Sequence, residues 1–254
     1  MDIPVVNDLW TQVNITYPGH DPREREHRAV DHLGRILPAA ENDGLITAWW
    51  FVRKGAWRIR YLLADGHNTD PIHPVITNGL TWTRDIYEPE TPAFGGPTSM
   101  NAAHTLFYAD SRHLLKFLAA PADRRERSLV LSAALMRAAG LDINEQGDVW
   151  ARLAEQRAPF LNTLPDDTTW RSFTRDIHSL ITGTPSADFM DGHWLAAFTD
   201  AGQTLRTVRE QGGLTRGVRA VVILHVIFHW NRIGLTASTQ ATLARAAKDA
   251  ILGP

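Results

Sequence analysis

The sequence predicts an α+β fold, with an antiparallel sheet from the N-terminal third packed with a mostly helical C-terminal two-thirds. Three observations predict it. Between residues 9 and 87, apolar and aromatic residues alternate with polar ones in short runs. Two of these runs, 46–53 and 56–64, are separated only by Lys54-Gly55, a hairpin signal that makes neighbouring strands antiparallel. From Thr98 onward no strand pattern recurs, and apolar residues return at helical spacing between Gly and Asp/Ser punctuation.

Taken in order, residues 9–17 (LWTQVNITY) alternate as a strand, which Pro18-Gly19 ends. Asp21-Pro22 caps a helix with Pro at its first position and Glu24 in its first turn; Val30, Leu33, Ile36 and Leu37 form its apolar face. Asn42-Asp43-Gly44 is a turn into the hairpin. Residues 65–78, with His67, Asp70, His73 and two prolines, read as a loop, and 80–87 as a further strand. Helices are expected at 99–108, 111–119, 122–139, 145–157, 168–182, 187–211, 217–233 and 238–252. Asp110-Ser111 is read as an N-cap that restarts a helix, and Gly140, Gly183 and Gly212-Gly213 as terminators. No linker separates two domains, so residues 1–254 are expected to form a single one.

Composition narrows the function classes. At 44% hydrophobic and 21% charged residues, the chain has the make-up of a soluble globular protein. A net charge of -2 gives no reason to expect a nucleic acid or another polyanion. The absence of cysteine excludes disulfides, thiolate zinc sites and a cysteine nucleophile. Met1-Asp2-Ile3-Pro4 lacks the basic and apolar regions of a secretion signal. The longest apolar run, 220–228, is broken by His225 and falls far short of the roughly 20 residues needed to span a bilayer. A cytoplasmic location is expected. No GxGxxG, GxxxxGK[ST] or GxSxG motif occurs, so nucleotide and serine-hydrolase chemistry find no support.

Four groups of residues could carry chemistry. Ile86 to Pro97 (IYEPETPAFGGP) puts the phenol of Tyr87 and the carboxylates of Glu88 and Glu90 in a rigid Pro/Gly turn between a strand and the helix that Thr98-Ser99 opens. Arg58 and Arg60 share one face of a strand, where an arginine pair binds a carboxylate or stabilises an oxyanion; an exposed face with two solvated arginines is the competing reading. His225, His229 and Arg232 share a helix face at i, i+4 and i+7, with Asn231 beside it. HVIFH lacks the glutamate of HExxH and a third ligand, which leaves acid/base work or a satisfied core histidine rather than a metal site. Nine tryptophans, among them Trp49, Trp50, Trp57 and Trp82 on strands, are core residues or the lining for a flat substrate.

Trp10, WWFVRKGAWRIRYLL (49–63), YEPETPAFGGP (87–97), YADS (108–111) and HWNRIGL (229–235), in that order and spacing, resemble the thiopeptide-type bacteriocin biosynthesis family, which includes the glutamate-elimination domain of lantibiotic dehydratases. Two positions depart from the elimination enzymes. Where they carry an arginine directly before the aromatic residue and Gly-Gly, this chain has Ala93; where they carry the catalytic histidine four residues before Asn-Arg, it has Ile227. The segment 65–78 is also shorter than the helix-bearing insertion of those enzymes. With Arg58, Arg60 and YEPE retained, the combination resembles the stand-alone pyridine synthase branch.

That resemblance implies a formal [4+2] cycloaddition between two dehydroalanines of a leader-bearing, azole-rich peptide, followed by loss of water and of the leader. It implies no cofactor and no metal. The expected catalytic residues are Tyr87 as donor or acid, His229 or His225 moving the proton, and Arg58 and Arg60 polarising a carbonyl. Glu88, Glu90, Ser99, Trp82, Asn231 and Arg232 are the expected substrate-binding set, with Asn231 and Arg232 fixing their helix against the strands. The partner implied is the modified precursor peptide, with room for a homodimer. A glutamate-elimination lyase and a non-catalytic leader-binding scaffold are the alternatives.

Overall fold

The computed structural model describes residues 10–65, 69–120, 123–186 and 189–253. His67, the segment Met1-Asp2-Ile3-Pro4 and the start of the helix expected at 187 lie outside the described residues. The chain divides into two compact units, each built from two stretches: Met1–Pro89 with Phe107–Ala122, and Glu90–Leu106 with Asp123–Pro254.

The first unit holds the sheet. Strands β1 (Trp10–Thr16), β2 (Ile46–Lys54), β3 (Ala56–Leu63) and β4 (Thr81–Ile86) lie in the order β2-β3-β1-β4, every neighbouring pair antiparallel. Gly55, at φ +77°, supplies the left-handed residue of the β2–β3 turn. Helix α1 (Pro22–Asn42) starts where the sequence predicts: the Asp21 carboxylate accepts from the amides of Arg23 and Glu24, both at 2.8 Å, behind Pro22. Its Val30, Leu33 and Leu37 are buried, as are Val13, Ile15, Phe51, Ile59 and Tyr61 of the strands. Tyr17 meets His32 of α1 at 2.9 Å, and Glu41 of α1 accepts from the indole of Trp49. A short helix, α2 (His73–Thr77), lies within the stretch read as loop. Asp70 closes it, accepting from the amides of Ile72 and His73 and from the Tyr61 hydroxyl at 2.7 Å.

Helix α3 (Pro97–Leu118) is continuous, against the expectation of two helices separated at Asp110-Ser111. Both residues are fully buried inside it. The Ser111 hydroxyl accepts from the backbone amide of Phe51 at 3.2 Å, a bond to a strand rather than to its own helix. The polar pair serves tertiary structure, which its local pattern does not distinguish from a cap.

The second unit is helical: α4 (Arg124–Ala138), α5 (Ile143–Arg157), α6 (Asp167–Thr182), α7 (Gly192–Glu210), α8 (Val218–Ile233) and α9 (Ala237–Leu252), with a 3-10 turn at Ala158–Phe160. A capping box joins Asp142 and Glu145 at the start of α5. Helix α8 is buried almost all round, from Val218 to Ile233, and packs on α4, α5 and α7. Its Trp230 donates to Ser128 of α4 at 2.6 Å and stacks on Trp150 of α5. Gly202 of α7 sits 2.5 Å, measured from where a Cβ would be, from the carbonyl oxygen of Leu135, so α4 and α7 approach at glycine distance. No helix among the described residues is long and apolar enough to cross a membrane.

Candidate functional site

The residues singled out from the sequence fall into two sets, one per unit. In the first unit, cross-strand register lines up Trp50 (β2), Arg60 (β3), Gln12 (β1) and Asp85 (β4) across the sheet. Since residues paired across strands share a face, this is a continuous row. The Arg60 guanidinium packs on the rings of Trp50 and Tyr87, 4.2 and 4.3 Å from their centroids. Trp10 stands edge-on to both rings, and Phe107 lies 4.8 Å from Trp50. Gln12 fixes the other side of Arg60: its Oε1 accepts from Nε at 2.6 Å, while its amide nitrogen donates to Asp85 at 2.8 Å and to Asn14 at 2.9 Å.

Asp85 thereby becomes the anionic end of a relay running through Gln12 to Arg60. The Asn14 amide and the Ile86 backbone N–H hold its carboxyl below the usual carboxylate range, and the charges of Arg58 and Arg60 act in the same direction. It is a fixed counter-charge at neutral pH. Arg58, half-buried, stands two residues along β3 on the face of Arg60. The cluster places a nearly buried cation and the half-buried phenol of Tyr87 side by side, an arrangement that can hydrogen-bond and polarise a carbonyl oxygen.

Gln12 and Asp85 are absent from the set expected from sequence. Gln12 is a polar residue buried on β1, whereas every residue of β4 is exposed, and only the register brings Asp85 to Gln12 and Arg60. Trp82 pairs with Ile15, on the opposite face of the sheet from Arg60, where it is 42% exposed and edge-on to His73. Glu88 and Glu90 are exposed, and neither carboxylate has a hydrogen-bond partner among the described residues.

In the second unit the turn 90–96 is closed by three backbone bonds, Phe94 N–H to Glu90, Gly95 to Pro92 and Gly96 to Thr91. Gly95 and Gly96 adopt φ of +87° and +111°, conformations that a side chain would strain. The chain before α8 clasps this turn: Thr215 N–H donates to the Gly95 carbonyl, and Arg216 to that of Ala93 at 3.1 Å. Ser99 is fully buried in the first turn of α3.

His225, His229 and Arg232 share a face of α8, and all three are fully buried. His225 is edge-on to Phe94, 5.2 Å away, and His229 to Phe198 at 5.0 Å. Burial pushes the His225 pKa down to about 3, with the Arg232 charge adding to the effect, so the imidazole stays neutral. Asn231 accepts from Gln240 of α9 at 3.2 Å, tying α8 to a helix and not to a strand. Among the described residues no three His, Cys, Asp or Glu side chains come together as metal ligands would.

A four-stranded antiparallel sheet with a cation–aromatic cluster on one face and a unit built of helices make this an α+β protein. The sequence matches the family described as lantibiotic biosynthesis dehydratase C-term over residues 10–251, and the chain belongs to that family. Its fold is similar to that of the tRNA-dependent lantibiotic dehydratase MibB from Microbispora sp. 107891, at a TM-score of 0.64 and 17% identity over 97% of this chain. This chain spans only 28% of MibB. It is also similar to TsrL (TM-score 0.68, 12% identity, 95% of this chain and 93% of TsrL). A third similar structure is the pyridine synthase TbtD from thiomuracin biosynthesis (TM-score 0.62, 15% identity, 95% of this chain and 97% of TbtD). No curated protein sequence matches.

Proposed function

We propose that this protein is a pyridine synthase of thiopeptide biosynthesis, with residues 1–254 acting as one elimination-domain-like unit. The observation that carries the proposal is the Arg60–Tyr87–Trp50 cluster, held by Gln12, in a chain that has Ala93 and Ile227 where the elimination enzymes it resembles have arginine and histidine. The cluster offers a means of polarising a carbonyl, without the groups that the resemblance assigns to removing a proton from a glutamyl ester.

In this reading the substrate is a leader-bearing peptide with azoles and two dehydroalanines. The amide preceding one dehydroalanine tautomerises to a 2-azadiene: its nitrogen loses a proton and its carbonyl oxygen gains one. The diene adds across the other alkene, forming two ring bonds. Water then leaves with the former carbonyl oxygen, and the leader departs as a carboxamide, which aromatises the ring. Arg60 and Arg58 favour the electron-rich carbonyl oxygen; the Tyr87 hydroxyl donates its proton to that oxygen and takes up the proton the nitrogen loses, and is then able to protonate the departing water. Holding two distant alkenes in contact removes an entropic cost on the order of 7–11 kcal/mol in favourable cases.

Because His225 and His229 are enclosed in the second unit, we assign the proton transfer to Tyr87 and give the histidines the role of packing groups that hold α8. The test is incubation of the purified protein with such a peptide and no added cofactor, read by mass spectrometry. A pyridine macrocycle with released leader carboxamide is expected, and Tyr87→Phe is expected to slow its formation on the order of 10²-fold. Unchanged peptide that nevertheless binds would favour the scaffold reading.

A further inference from the structure

The second unit contains a cavity of about 680 Å³ that the chemistry above does not use, lined by Glu145, Arg152, Arg209, Thr215, Arg216 and Arg219 among others. We infer that it is a docking site for an acidic peptide segment, and that on the proposed function this segment belongs to the precursor peptide. Its volume lies within the range of about 300–1,000 Å³ typical of ligand pockets. Its charge is lopsided. Arg152 and Arg219 both clasp Asp148, at 3.0 and 2.8 Å, so four guanidiniums face two carboxylates, and the wall is net positive in a chain of net charge -2.

The arrangement of the arginines selects the class of anion. They come from four separate places: Arg152 from α5, Arg209 from the last turn of α7, Arg216 from the connecting segment and Arg219 from the first turn of α8. Asp148 orients two of them, and the Ala93 carbonyl holds a third. Arg152 and Arg219 meet on one oxygen of Asp148, which leaves Arg209 and Arg216, from the end of α7 and from the connecting segment, to face a ligand. Carboxylates spaced along an extended chain, where side chains on one side recur every 6–7 Å or so, meet them in turn. The wall from Leu214 to Gly217 is the same segment that clasps the Gly95 turn, so a peptide seated here passes beside the turn 90–96.

The test is fluorescence anisotropy of the full chain with labelled hexaglutamate, with hexaglutamine and inorganic phosphate as competitors. Hexaglutamate is expected to bind, to weaken steeply with salt, and to be displaced by neither competitor at equal concentration. Arg209→Gln/Arg216→Gln is expected to weaken it about tenfold, by the summed loss of two partly exposed charge contacts. A double change of equal charge at the other cavity, Arg35→Gln/Lys116→Gln, is expected to leave it within about twofold. Equal binding of hexaglutamine, displacement by phosphate, or equal weakening in both double variants would each overturn the inference. Circular dichroism of each variant controls for folding. The peptide-binding readout is independent of cyclisation, so loss of turnover with hexaglutamate binding intact would count against the synthase reading alone.

Discussion

His225 provides a stability switch whose size follows from its surroundings. Unfolded, its imidazole takes up a proton as pH falls through about 6.5; folded, it does so only near 3. Between those values the unfolded state holds more protons. Stability from this group is therefore fully present above about pH 6.5 and is lost progressively as pH falls toward 3. From pH 7 to pH 5 the loss from this group is about 2 kcal/mol. Urea titrations of the wild type and of His225→Gln, which keeps a polar side chain that does not titrate, isolate the term. The capping carboxylates, such as Asp21, are common to both proteins and cancel. The wild type is expected to lose about 2 kcal/mol more than the variant over that interval. Parallel pH dependence in the two proteins would refute the reasoning, because it would mean that the imidazole exchanges protons freely in the folded state.

Two further changes test the packing. Gly202→Ala puts a methyl 2.5 Å from the Leu135 carbonyl and 2.7 Å from the Ala138 Cβ, and is expected to cost about 1–3 kcal/mol; Gly34→Ala in α1, with nothing within 4 Å, is expected to gain up to about 1 kcal/mol. Denaturant midpoints of the pair check both signs. Ser111→Ala deprives the buried Phe51 amide of its acceptor and is expected to cost about 1–3 kcal/mol, with faster hydrogen exchange at that amide.

What was legible in the sequence was what is local. Asp21-Pro22 starts a helix and Lys54-Gly55 turns a hairpin, because caps and turns are settled by a few adjacent residues. The pairing of Arg58 with Arg60 on one face, and of His225 with His229 and Arg232 on another, followed from backbone periodicity. What was not legible depends on partners distant in sequence. Ser111 carries the signature of a cap but bonds to a strand 60 residues away. That β4 pairs with β1 decides that Asp85 joins Arg60 while Trp82 faces away, and no local pattern encodes that pairing. The histidines' shared face could be read, but not its complete burial, because α8 is enclosed on nearly every side by helices still to come or already passed.

The cluster around Arg60 also explains why the family resemblance is carried by scattered short motifs. Trp10, Trp50, Arg60 and Tyr87 sit on or beside four strands and meet only through register. These three motifs meet in one cluster of the first unit, whereas HWNRIGL lies on α8 of the second.

Whether the retained fold carries a changed chemistry is decided by offering the protein two substrates. The purified protein is given, in parallel, a leader peptide bearing azoles and two dehydroalanines, and the same leader bearing glutamylated serines. Mass spectrometry follows both. A pyridine macrocycle and leader carboxamide are expected from the first and no reaction of the second, since this chain has Ala93 and Ile227 where the resemblance places the arginine and histidine of the elimination enzymes. Release of glutamate from the second peptide, with the first returned unchanged, would contradict the synthase reading.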